Sequence, residues 1–177
     1  MVKISSAKIM NLLNRRESRF QTTKKGKTLE DLVCYLFEEI PGLNLAARNT
    51  FDSSKREELD LVFWNKRYRN GLYFLPSIVA IECKNWERAV CGQQVFWFFG
   101  KLKNRNINYG ILVARNGIAG DDDNMDEAHS VIRNALKNGI TIIVITKKEI
   151  EKITDTNEIV KLLEDKMRNL MIHVRVK

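Results

Sequence analysis

Asp60, Glu82 and Lys84 are the residues of this chain whose types and spacing could do chemistry together. Glu82 and Lys84 lie two apart in "SIVAIECKNWE" (77–87), directly after four apolar residues that read as a buried strand. In a strand, residues i and i+2 share a face, so this carboxylate and this ammonium stand side by side. Asp60 lies in a second apolar run, "ELDLVFWN" (58–65), between Leu59 and Leu61. A charge inside an apolar run is seldom buried without a partner. If the two runs are antiparallel neighbours joined by the polar segment 66–76, Asp60 and Glu82 converge at one end of a sheet. Two carboxylates at close range repel, which raises the pKa of one unless a cation intervenes. Mg²⁺ prefers oxygen ligands of this kind. It would acidify a bound water and stabilise charge on a phosphate. Lys84 would hold or deprotonate the attacking water, or neutralise the phosphate. Without Asp60 beside it, the Glu82–Lys84 pair is a surface ion pair worth about 0.5 kcal/mol.

The elements needed to position these groups follow from periodicity. Ile9, Leu12, Leu13 and Phe20 recur at near-helical spacing in 5–20, with Ser6 as N-cap, and "QTTKKGK" (21–27) reads as a polar connector. Thr28 and Asp31 form a capping-box-like start to an amphipathic helix, "TLEDLVCYLFEEIPG" (28–42). Its apolar stripe is Leu29, Leu32, Val33, Leu36, Phe37 and Ile40, and Pro41-Gly42 ends it. Strands are predicted at 44–52 and 58–65, then at 76–85. After them come a helix at 87–104, a strand at 109–115, a helix at 121–139 stopped by Gly139 and a strand at 140–146. Helical segments at 147–155 and 156–170 and a last strand, "MIHVRVK" (171–177), complete the series. Short apolar strands alternating with helices imply an α/β fold, a mixed sheet with helices on both faces. The division expected is a basic helical N-terminal arm (1–27) and a single α/β domain (28–177).

Composition bounds the function. The chain has 177 residues with 44% hydrophobic and 29% charged content, as in an ordinary soluble domain. No stretch is apolar for long enough to span a bilayer, and the first residues lack the apolar core of a secretory signal, so a cytoplasmic location is expected. Cys34, Cys83 and Cys91 have neither zinc-ligand spacing nor an even count, which suits reduced thiols. Net charge is +8, and residues 1–27 hold eight basic residues against Glu17 alone. A basic segment on a nearly neutral body suits contact with a polyanion. The acids of "DDDNMDE" fit a helix N-terminus better than a calcium loop, which would need a glycine and a terminal glutamate. Trp64, Trp86, Phe96, Trp97, Phe98 and Phe99 read mostly as core, with Trp86 and Trp97 also suited to stacking on bases or a partner. "VFWFF" is more apolar than one helix face needs, so a homodimer interface is expected there.

An acid in one strand, then acid-x-Lys in the next, after a helix bearing a glutamate, resembles the PD-(D/E)xK nuclease superfamily, and most of all its Mrr-like restriction endonuclease branch. The resemblance covers about residues 26–146. It implies a restriction-endonuclease-like fold with Asp60 and Glu82 as metal ligands and Lys84 as catalytic base or water-positioning group. It also implies that the backbone carbonyl of Cys83 completes the metal shell, and that the ion is Mg²⁺ with Mn²⁺ able to substitute. Glu30 matches the glutamate of the family's first helix. Gln93 or Gln94 matches the glutamine that follows acid-x-Lys, with Gln94 preferred. The sequence departs from the pattern in having Leu59, not proline, before the first acid. It also has Glu58 where a glycine is common, and Glu58 shares the face of Asp60. The function implied is a metal-dependent DNA endonuclease that hydrolyses phosphodiester bonds with metal-activated water. Arg15, Arg16, Arg19, Lys24, Lys25 and Lys27 would bind the nucleic acid. The rival reading is a non-catalytic nucleic-acid-binding or assembly module that retains the fold, and a third is one subunit of a larger restriction or defence system.

Overall fold

The apolar runs of the sequence form one five-stranded sheet in the computed structural model, which describes residues 2–14, 22–53, 55–120, 127–173 and 176. In chain order the elements are α1 (Ser6–Asn14), α2 (Thr22–Glu38), β1 (Leu43–Phe51), β2 (Glu58–Asn65), β3 (Ile78–Lys84), α3 (Gly92–Asn104), β4 (Tyr109–Ala114), α4 (Glu127–Lys137), β5 (Thr141–Thr146), α5 (Lys147–Ile150) and α6 (Thr156–His173). Strand order follows the sequence, β1-β2-β3-β4-β5. The pairs β1–β2 and β2–β3 are antiparallel, whereas β3–β4 and β4–β5 are parallel. Parallel neighbours need a crossover, and α3 and α4 supply the two required here. β4 is buried at every position, as expected for a strand covered on both faces.

Two contacts show which helix covers which face. Phe37 of α2 meets Phe63 of β2 with ring centroids 5.7 Å apart, so α2 lies on the face of Leu59, Leu61 and Phe63. On the opposite face α3 is drawn down onto β4 at Gly110. A side chain there would have its Cβ 2.6 Å from Leu102 Cδ1 and 2.8 Å from Phe98 Cζ. The loop between β2 and β3 is held by Asn65, which is 1% exposed and donates its amide to the carbonyls of Leu72 at 2.7 Å, Pro76 at 3.2 Å and Leu75 at 3.3 Å. Gly139 follows α4 with φ of 74°, the left-handed stop that its position suggests.

Three expectations are corrected. α2 starts at Thr22, so residues 22–27 of the segment read as a connector are helical and Thr28 is an interior residue rather than a cap. Adding a turn to an existing helix avoids a new nucleation step, and the lysines of 24–27 favour it despite Gly26. Met171, Ile172 and His173 continue α6 instead of opening a strand, since so short an alternation cannot outweigh helix propagation; 174, 175 and 177 lie outside the described residues. The aromatic residues divide: Phe98 and Phe99 are buried, Trp86 is half-buried, and Trp64, Phe96 and Trp97 are about half exposed. At the N-terminus, Ile4 and Ile9 are buried, and the Thr156 N–H donates to the Val2 carbonyl.

Candidate active site

β2 and β3 stay paired from Trp64–Ile78 down to Leu61–Ile81. The next facing positions are Asp60 and Glu82. There β3 goes on with β4 alone, through Glu82–Leu112 to Lys84–Ala114. The Cys83 N–H donates to Asp60 Oδ2 at 2.7 Å, so a side-chain oxygen takes the backbone donor at the point where the ladder stops. The expected convergence of Asp60 and Glu82 is therefore present, in a fork between two strands. Cys83 is buried, and burial followed by the nearby Asp60 pushes its thiol well up, so the sulfur is neutral and only backbone atoms of this residue carry polarity.

The charges in the fork are closely coupled. Glu82 is 3% exposed. Lys84 Nζ lies 2.7 Å from Glu82 Oε1, and Lys101 Nζ of α3 lies 2.9 Å from both Glu82 oxygens. Burial, and after it the charge of Glu82, push the Asp60 carboxyl up to about 6, although the Cys83 N–H and Lys84 oppose the shift. Burial works against the Lys84 ammonium, but Glu82 outweighs it and holds the Lys84 pKa above the ordinary value. Lys84 is thus a charged donor here. Among the described residues no group of three or more His, Cys, Asp or Glu side chains is arranged to hold a metal ion. Two facing carboxylates fit a hard cation that keeps several waters, as Mg²⁺ does. Burial is the larger cause of the raised Asp60 pKa and the charge of Glu82 the next, and a cation between the two carboxylates would relieve that repulsion.

Glu30 stands on α2 with Arg48 of β1 against it. Arg48 donates from Nε at 3.2 Å and Nη2 at 3.1 Å to Glu30 Oε2, and its Nη2 lies 2.7 Å from Asp31 Oδ1. The charge of Glu30 is felt at both Asp60 and Cys83. Gln93 is exposed and Gln94 half-buried, and among the described residues neither amide hydrogen-bonds Asp60 or Glu82. Gln94 and Lys101 lie seven residues apart, two turns along one face of α3. Glu58 lines an open cleft of about 510 Å³ with Trp97, Gly100 and Lys101, next to the fork. Lys27 is exposed and its carbonyl accepts from Arg48 Nη2 at 3.5 Å. Arg15, Arg16 and Arg19 lie outside the described residues, and for Lys24 and Lys25 only the helical backbone is described.

The family model described as restriction endonuclease, Mrr_cat, matches residues 22–154, three quarters of the chain. The chain belongs to this family. Membership brings nuclease chemistry of the restriction endonuclease type, and the mixed sheet with helices on both faces is the fold expected of it. No curated protein matches the chain. No helix among the described residues of this nuclease domain is long and apolar enough to cross a membrane.

Sequence reasoning missed Lys101 and Arg48. Lys101 had a signal, since it falls on the Gln94 face of a helix already suspected of facing the site. Arg48 had none, because β1 meets α2 only through the tertiary fold.

Proposed function

We propose that this chain is a Mg²⁺-dependent DNA endonuclease, with Mn²⁺ able to substitute, that hydrolyses phosphodiester bonds. The observation that carries the reading is the meeting of the Asp60 and Glu82 carboxylates in the strand fork with Lys84 beside them. Asp60, Glu82 and the Cys83 carbonyl hold the cation. When bound, it supplies a Lewis acid that lowers the pKa of water and screens the phosphate. Lys84, held charged by Glu82, donates to the attacking water or to a phosphate oxygen and keeps either in line with the scissile bond. Glu30, fixed by Arg48, adds negative charge behind Asp60 and strengthens the field that retains a cation. Gln94, on the Lys101 face of α3, is assigned to the substrate side of the site, in preference to Gln93.

Residues 1–27 act as a basic arm and 28–177 as the nuclease domain. Arg15, Arg16, Arg19, Lys24, Lys25 and Lys27 contact backbone phosphates and give affinity without sequence choice. Three free cysteines suit a reducing cytoplasm. Cutting both strands of a duplex calls for two sites, which a homodimer or a partner subunit of a larger restriction or defence system provides. The test is cleavage of DNA by the purified chain with Mg²⁺ or Mn²⁺. Asp60→Ala and Lys84→Ala should each abolish cutting while their circular dichroism stays native. Salt-sensitive binding with no metal-dependent cutting of any DNA or RNA would favour the non-catalytic module that retains the fold.

A further inference from the structure

Lys101 makes the most complete contact with Glu82, yet the hydrolytic reading does not use it. Its Nζ lies 2.9 Å from each carboxylate oxygen, straddling the group in the position that a bidentate cation takes. Lys84 contacts Oε1 alone. Two acids, Asp60 and Glu82, then face two ammoniums, so the fork is electrically balanced before any metal enters. A divalent cation added to a balanced and largely buried cluster would leave two positive charges uncompensated, which opposes its entry. One ammonium must therefore give way.

The two lysine side chains are equally exposed, at 19%, but differ in what lies beside them. Lys84 is fixed at the end of β3, with its Nζ 5.5 Å from the centre of the Trp86 ring. Lys101, on α3, reaches Glu82 from the wall of the open cleft that Glu58 and Trp97 also line. Its neighbour Gly100 leaves empty space, since a Cβ there would meet nothing within 4 Å. A long, flexible ammonium thus has both a place to move to and an acid, Glu58, along the way.

We propose that Lys101 is a resident counter-cation that closes Glu82 in the metal-free protein, and that a divalent cation enters by displacing it into the adjoining cleft. There the freed ammonium faces the path of an anionic substrate phosphate, so metal entry also turns a charge toward the DNA. Lys101 is in this sense a positioning residue, and the proposal rests on the reading of Asp60 and Glu82 as metal holders.

The experiment is calorimetric titration of the full chain with Mn²⁺ alone, without nucleic acid, for the native protein, Lys101→Met, Lys101→Gln and Lys101→Arg. Removing a competing cation from a carboxylate should tighten binding about tenfold in the Met and Gln variants. The Arg variant, which restores the charge, should return affinity toward the native value. General structural damage would weaken binding rather than strengthen it, and if one neutral variant fails to fold the other still answers. Unchanged or weaker affinity in a folded neutral variant overturns the proposal. If the native chain cuts DNA with Mg²⁺ while the neutral variants bind Mn²⁺ no more tightly, the role of Lys101 falls and the nuclease reading stands. If native and variant chains alike bind no metal, both fall.

Discussion

Asp60 carries an energetic cost that its surroundings explain. Its carboxyl is pushed up to about 6 by burial and by Glu82, against an ordinary value of 3.8. Between those values the folded chain holds a proton that the unfolded chain has released, so stability falls as pH rises from about 4 through about 6. Above pH 6 the full penalty of about 3 kcal/mol is present in the absence of metal. Asp60→Asn keeps an oxygen for the Cys83 N–H and removes the charge. In chelator at pH 7 it should therefore melt several degrees above the native chain, and below about pH 4 the two should coincide. Equal melting temperatures at pH 7 would show that Asp60 is not under strain. At this scale the sequence was informative where spacing along one strand settles a face, as for Glu82 and Lys84. It was silent on Arg48, whose partner Glu30 lies on another element.

Between elements, the seat of α3 on the sheet decides where Lys101 arrives. That seat is Gly110, which lets Leu102 and Phe98, both buried, reach the backbone of β4. Gly110→Ala places a methyl where neither neighbour can yield without repacking, and should cost about 1–3 kcal/mol. Urea unfolding would read this as a lowered midpoint with an unchanged slope. An unshifted midpoint would mean that α3 is not seated there. The strands were legible because an apolar run bounded by polar loops has few alternatives, and β2 falls at the residues expected of it. The start of α2 was not. A cap signal at Thr28 describes what a helix could use if it began there, and does not stop one already running from Thr22.

For the whole molecule, two pairs of exposed apolar side chains stand on the elements that build the fork. Trp64 and Ile78 face each other across β2 and β3, 50% and 41% exposed, and Phe96 and Trp97 stand out from α3 at 55% and 52%. Exposed apolar surface of this kind marks interaction surfaces, and pairing of two copies through the Phe96–Trp97 pair of α3 is the expected outcome. Sedimentation at high concentration should show a dimer, and Trp97→Lys should return it to monomer with little change in stability. A monomer at every concentration removes the idea. Glu82, Lys84 and Lys101 all lie within one strand–helix–strand unit, residues 78–114, and Asp60 alone is brought from outside it. If the hairpin of β1 and β2 peels away from β3, three of the four charges keep their places and the fourth departs. On the proposed reading of Asp60, loss of cutting and loss of fold would then be separable events, with partial unfolding at one edge enough to disable the site.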